Sequence, residues 1–172
     1  MVNGFFTWPT LYRDMVYSFP EGSHFVEIGC LEGQSLIYLI KEKIKAGKEL
    51  KITAIDHFRG QSDGLLSRFH DNLASYKDEF NLMIMDSAEA AGYFDSVDFV
   101  FIDAAHDYES VKKDILAWLP KCRGIIAGHD YPAYKGVVTA VDEIFGDRVN
   151  KDYEFEGCWT VNLQGDDKTR GV

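Results

Sequence analysis

Along the chain, short runs of branched and aromatic apolar residues alternate with longer segments whose apolar positions recur every three or four residues. That alternation predicts a largely parallel α/β sheet covered by helices. Residues 24–28 read as a first strand, broken by Gly29. Over 34–46 the period changes: Leu36, Ile37, Ile40 and Ile44 share one helical face, and Lys41, Glu42, Lys43 and Lys45 fall mostly toward solvent. Gly47 supplies a C-cap. Residues 51–56 form a second strand and 63–76 a second helix, with Leu65, Leu66, Phe69 and Leu73 inward. A third strand spans 80–85 and leads into a short helix near 88–92. Residues 97–102 read as a central strand covered on both faces. Asp107 then caps a helix whose buried stripe is Val111, Ile115, Trp118 and Leu119 and which Pro120 stops; 123–127 are a fifth strand.

The last third departs from this repeat. Val137, Val138, Val141, Ile144 and Phe145 suggest a helix ended by Gly146, and residues 153–155 and 159–163 bracket Glu156-Gly157. That spacing predicts an antiparallel hairpin at one sheet edge, for seven strands in all. The opening twenty residues lack a strong period, yet Phe5, Phe6, Trp8, Leu11, Tyr12, Met15 and Tyr17 are too apolar to stay in water. Packing under the sheet, covering a ligand and entering a subunit contact are all open to residues 1–22. Residues 165–172 read as a frayed tail.

A chain of 172 residues fits one domain, residues 1–172. The 46% hydrophobic content, with 12 Phe, 9 Tyr and 3 Trp, excludes a disordered chain. A net charge of -10 disfavours a protein whose main task is gripping nucleic acid. Cys30, Cys122 and Cys158 match no paired-cysteine pattern, and no run approaches a membrane span, so a soluble cytoplasmic protein is expected.

Candidate chemistry gathers where the predicted strands end in loops, as ligands do in open α/β sheets. The first loop, Gly29-Cys30-Leu31-Glu32-Gly33-Gln34-Ser35, turns sharply at Gly29, and Gly33 allows close approach at the helix start. Paired glycines also flank many ordinary turns. Asp56, at the end of the second strand, is placed to accept both hydroxyls of a ribose, with a helix cap or loop ion pair as its plain alternative. Neither the full dinucleotide fingerprint nor a phosphate loop is present. Glu27, Glu32, Asp56 and Asp86 at the strand ends repel a diphosphate and suit a ligand with a cationic centre. A sulfonium nucleoside fits better than a dinucleotide or ATP, with Asp86 and Ser87 at its adenine end.

Residues 26–35 (VEIGCLEGQS), Ile55-Asp56, Met85-Asp86-Ser87, 97–108 (VDFVFIDAAHDY) and 124–131 (GIIAGHDY) occur in an order that resembles class I S-adenosylmethionine-dependent methyltransferases. The likeness is strongest to small-molecule O-methyltransferases related to the macrolide-sugar and catechol enzymes, and it spans roughly 24–163. It implies a Rossmann-like sandwich with a seven-stranded sheet in the order 3-2-1-4-5-7-6, strand 7 being antiparallel. It also implies S-adenosylmethionine contacts from Glu27, Gly29, Gly33, Ser35, Asp56, Asp86, Ser87 and Asp103. Leu31 stands where the commonest form of the glycine loop has a further glycine.

Asp103 ends the fourth strand, and His129 and Asp130 follow the fifth, so adjacent parallel strands bring them together. One imidazole and two carboxylates suit Mg²⁺ or another divalent metal. In metal-dependent relatives the resemblance places a carboxylate at the position of His129. His106 takes the position of the lysine base of catechol-type relatives, and a neutral imidazole is suited to removing a proton near pH 7. A helix cap or loop hydrogen bond is its plain alternative. The expected reaction is methyl transfer to a hydroxyl of a small molecule, a sugar slightly favoured over a catechol. A neighbouring copy in a homo-oligomer is one source of a lid. Tyr108 and Lys112 satisfy the Tyr-x-x-x-Lys spacing of short-chain dehydrogenases, which keeps an NAD-dependent oxidoreductase as a minor alternative. A noncatalytic nucleoside-binding or assembly protein with the same fold is the other.

Overall fold

A computed structural model describes residues 6–59 and 63–164. Helix α1 (Pro9–Ser18) precedes β1 (His24–Ile28), α2 (Gln34–Ala46), β2 (Lys51–Ile55), α3 (Leu65–Leu73), β3 (Asn81–Met83) and the single turn α4 (Ser87–Ala90). Then come β4 (Val97–Ile102), α5 (Tyr108–Trp118), β5 (Cys122–Gly128), α6 (Lys135–Phe145) and β6 (Trp159–Asn162). The described strands form one sheet in the order β3-β2-β1-β4-β5-β6. All neighbours are parallel except β5 and β6, which pair antiparallel from Ile125 opposite Asn162 to Gly128 opposite Trp159. The strand order reverses between β1 and β4, and that switch point opens a crevice at the carboxyl ends of the strands.

Period-two alternation divides the core between the two faces of the sheet. Phe25, Phe99 and Phe101 point toward α1, α2 and α3, and Val26, Ile28, Val100 and Ile102 toward α4, α5 and α6. Asp107 caps α5 by accepting from the Ser110 amide at 3.0 Å, and Gly47 ends α2 in the left-handed region at φ +64°. No helix among the described residues is long and apolar enough to cross a membrane.

Two features differ from the sequence expectation. The aromatic N-terminal segment contains α1, which starts at Pro9 and buries Leu11, Tyr12, Met15 and Val16 against α2 and the sheet. The antiparallel edge forms as β6 on β5, but the other arm of the expected hairpin is reduced to an isolated antiparallel bridge between Asn150 and Thr160. Residues 153–155 are not a strand: Glu154–Glu156 make one 3₁₀ turn, and β6 alone pairs with β5, for six strands among the described residues. The turn prevails because it buries the Glu156 carboxylate against the start of α1, leaving Phe155 in solvent. Phe5, the stretch 60–62 of the loop after β2, and the expected tail 165–172 lie outside the described residues.

Candidate active site

The glycine loop joins β1 to α2. Gly29 adopts φ +83° and donates its amide to the Ile55 carbonyl at 2.9 Å, while Asp103 donates its own to Ile28 at 2.8 Å. The second of these bonds joins β1 to β4, whose backbones run so close there that a Cβ on Gly29 would overlap the Asp103 carbonyl oxygen. The Asp56 carboxylate, just beyond β2, accepts from the amides of Cys30 (2.8 Å), Leu31 (3.1 Å) and Phe58 (2.7 Å). Asp56 therefore sets the shape of the loop as well as facing the crevice. Glu32 is engaged by Arg68 at 2.6 Å.

Three of the residues expected at the cofactor stand apart from the crevice. Gly33 opens α2 at φ +80° and makes room for the Leu73 side chain. Glu27 faces α1 and α2, because alternation along β1 turns it away from Val26 and Ile28; Ser35 Oγ donates to it at 2.6 Å and Tyr12 Oη at 2.9 Å. Burial pushes the Glu27 carboxyl up to about 7 against the hydrogen bonds from Ser35 and Tyr12. A carboxyl whose pKa is raised on folding stabilises the protein fully below its unfolded value near 4.5, and that contribution is lost as pH rises through about 7. Glu27→Gln, which keeps the shape, should match the parent near pH 4.5 and become more stable by on the order of 2 kcal/mol above pH 7. Urea denaturation across that interval checks the expectation, and a pH-independent difference would refute it.

A cavity of about 620 Å³ lies over the carboxyl ends of β1, β2, β4 and β5, lined by Gly29, Asp56, Asp86, Ser87, Asp103, His106, His129 and Asp130 among others. The sequence expectation thus converges on one cavity for these eight residues. At its β3 side, Asp86 caps α4 through the amides of Ala88 and Glu89 and pairs with Lys113 at 3.1 Å. Burial raises the Asp86 carboxyl, but Lys113 and those amides outweigh it and hold the group below the ordinary range. Ser87 Oγ accepts from Trp118 Nε1 at 3.0 Å. Asp114, which the sequence reading missed, also lines this end; burial, opposed by a hydrogen bond from Ser87, pushes its carboxyl up to about 6. Its i+3 spacing from Val111 on the inward face of α5 is the signal that was there to be read.

At the other end, donor atoms of Asp103, His129 and Asp130 all lie within 4.8 Å of one another. His129 Nδ1 is 3.2 Å from Asp130 Oδ1 and 3.8 Å from Asp103 Oδ1. Burial pushes the Asp103 carboxyl up to about 7, with His129 opposing and Asp130 reinforcing the shift. His129 is raised because the hydrogen bond to Asp130 and the charges of Asp103 and Asp130 overcome the downward push of burial. His106 Nε2 contacts Asp130 Oδ2 at 2.6 Å, and its ring stacks on Tyr134 at 4.4 Å. The two carboxylates and the imidazole are a donor set that fits a divalent cation, with the imidazole admitting Mn²⁺ or Fe²⁺ beside Mg²⁺. Thr7 and Trp8, at the entry to α1, close the wall beside His129.

The Tyr108–Lys112 pair is not in this cavity. Tyr108 Oη donates to Glu143, and Lys112 Nζ reaches Tyr108 Oη at 2.7 Å and Glu143 Oε1 at 2.9 Å, so the three clasp α5 to α6. Cys30 is buried, and burial drives its thiol well above the ordinary range, which suits packing and not nucleophilic chemistry.

A family model described as "Methyltransferase domain" matches residues 26–131. No curated protein matches the chain by sequence. Among solved structures, a candidate caffeoyl-CoA O-methyltransferase from Staphylococcus aureus is similar at a TM-score of 0.67 and 14% identity, over 95% of this chain and 86% of that one. An rRNA methylase from Streptococcus thermophilus gives 0.62 and 14%, over 94% and 98%. A SAM-dependent O-methyltransferase from Thermotoga maritima gives 0.60 and 16%, over 86% and 54%. At these identities the likeness is one of fold.

Proposed function

The chain belongs to the methyltransferase domain family that its residues 26–131 match, and from that premise we propose that it transfers a methyl group from S-adenosylmethionine to a hydroxyl of a small molecule, assisted by a divalent metal. The observation that carries this reading is the sharing of one cavity by two groups of residues. Asp56, Asp86, Ser87 and Asp114 line one end of it, and Asp103, His106, His129 and Asp130 the other. Asp56 would hold the ribose hydroxyls, and Asp86, Ser87 and Asp114 the adenine. The carboxylates around the cavity favour a sulfonium over a diphosphate. Asp103, His129 and Asp130 would hold the metal, whose chemistry is to lower the pKa of a bound hydroxyl. His106 Nε2 lies 2.6 Å from Asp130 Oδ2 beside this group, and a neutral imidazole there would take the acceptor's proton. The walls hold oxygen and methyl carbon in line, and no covalent enzyme intermediate is needed.

A small polyhydroxylated acceptor, a sugar before a catechol, agrees with the histidine base and with one aromatic wall formed by Tyr134. The net charge of -10 speaks against an RNA acceptor. Calorimetry should show S-adenosylhomocysteine binding with no comparable response to NAD, and Asp56→Ala should weaken binding at least about ten-fold by removing paired hydrogen bonds to a charged acceptor. Transfer to a panel of sugars and phenols should fall on chelation with EDTA. Tight NAD binding without S-adenosylhomocysteine binding would overturn the cofactor reading. Undiminished transfer after chelation would remove the metal.

A further inference from the structure

The start of α1 has no capping side chain of its own, since Trp8 occupies the N-cap position without a side-chain hydrogen bond. The amides of Thr10 and Leu11 are taken instead by Oε1 and Oε2 of Glu156, at 2.9 and 3.0 Å, from the far end of the chain. Glu156 is buried, and a carboxylate at a helix N-terminus gains from both the amide hydrogen bonds and the helix dipole. The same residue reaches the reactive cluster through its backbone. Its carbonyl oxygen lies 3.1 Å from His129 Nε2 and accepts from Thr7 Oγ1 at 3.3 Å, and Thr7 Oγ1 itself lies 3.0 Å from His129 Nε2. A carbonyl only accepts, so Nε2 carries the ring hydrogen, shared between the Glu156 carbonyl and the Thr7 oxygen. With Nε2 holding its hydrogen, Nδ1, which faces the Asp130 and Asp103 carboxylates, is the ring atom that would meet a cation. Trp8 lies against the imidazole with centroids 4.3 Å apart. Gly157 follows at φ +77°, where an added Cβ would stand 3.0 Å from His129 Nε2, so a side chain there would have to shift the ring by a few tenths of an ångström.

We infer that Glu156 is a positioning residue for His129. Its carboxylate clamps the first turn of α1, its carbonyl holds Nε2–H, and together they fix the tautomer and direction of the imidazole that completes the cation site. Both halves of the clamp, Thr7–Leu11 and Glu156–Gly157, lie outside the matched segment 26–131, so the site of this chain depends on residues at both of its ends. The inference rests on the metal-assisted reading and adds to it the group that orients the one nitrogen ligand.

The test combines ring ¹H–¹⁵N correlation spectra of His129 at alkaline pH, assigned with His129→Gln, with Mn²⁺ titration by electron paramagnetic resonance and S-adenosylhomocysteine calorimetry. The proteins are the parent, Glu156→Ala, Glu156→Gln and Thr7→Val. The parent should show the Nε2–H tautomer. Glu156→Ala should show mixed tautomers and bind Mn²⁺ about 10- to 100-fold more weakly, the usual cost of losing an outer partner of a ligand. Glu156→Gln and Thr7→Val should lose less, and all should keep S-adenosylhomocysteine affinity. A folded Glu156→Ala with parent-like tautomer and Mn²⁺ affinity would overturn the inference. If Glu156→Ala does not fold, an unchanged His129 spectrum and Mn²⁺ affinity in both milder variants would overturn it as well. A parent that binds no Mn²⁺ refutes the metal reading, while the tautomer shift still decides the clamp.

Discussion

Gly29→Ala is expected to destabilise the fold by at least about 3 kcal/mol, combining a left-handed backbone cost of about 1–2 kcal/mol with forced displacement in a packed core. Gly29 sits at φ +83°, and its Cβ would overlap the Asp103 carbonyl oxygen and come within 2.6 Å of the carbonyl carbon. Both partners are main chain, so no side-chain rotamer relieves the contact; β1 and β4 must separate where the Asp103 amide bonds to Ile28. Gly47 provides the control. It shares the positive φ, at +64°, but an added Cβ there meets nothing within 4 Å, so Gly47→Ala should cost only about 1 kcal/mol. Urea denaturation of the two variants separates backbone strain from strand contact, and equal losses would refute the claimed squeeze. Because the displaced backbone carries Asp103, Gly29→Ala should also lower Mn²⁺ affinity, whereas Gly47→Ala should not.

The residues around this squeeze were legible because strands alternating with helices fix which loops share one sheet end. Gly29, Asp56, Asp86, Asp103, His129 and Asp130 each stand just beyond a strand, and strand order alone brings them to one cavity. That Glu27, Gly33 and Ser35 stand apart from the cavity has a different origin. Their sequence neighbours belong to the loop, but strand alternation and helix phase turn Glu27 and Ser35 toward each other, and Tyr12, from a helix that no clear period announced, completes the pairing on Glu27. Leu11, Tyr12, Met15 and Val16 do follow helical spacing, over only ten residues rich in aromatics. Glu156 was harder still. Its role is to cap a helix 145 residues earlier, and local propensity in Tyr153–Phe155 favours a strand. A tertiary hydrogen bond decided the local structure, and no pattern within the segment records it.

Asp130 is where the largest loss of activity is expected, because its carboxylate serves three neighbours. Oδ2 lies 2.6 Å from His106 Nε2, Oδ1 lies 3.2 Å from His129 Nδ1, and one of its oxygens comes within 4.8 Å of one of Asp103. Against the upward push of burial, the contacts with His129 and the charge of His106 keep this carboxyl below its ordinary range, so it is the anion of the cluster at neutral pH. Removing it would deprive the proposed base, His106, of its 2.6 Å neighbour and the proposed cation site of one oxygen. General-base catalysis alone accounts for about 10²–10⁴ in rate, and Asp130→Ala should therefore lose at least about 10³ in kcat. Asp130 stands at φ +64°, where alanine is strained but asparagine is among the best tolerated side chains. Asp130→Asn consequently removes the charge at little cost to the fold and should still lose about 10² in kcat, since its amide keeps one acceptor oxygen while its NH₂ opposes a ring N–H. S-Adenosylhomocysteine affinity should stay within about three-fold in both, because Asp56 and Asp86 are untouched and a charge across the cavity acts through a screened medium. A drop in kcat that tracked lost thermal stability would assign Asp130 a structural role only, and an Asp130→Asn enzyme within ten-fold of the parent at saturating Mn²⁺ would remove it from the chemistry.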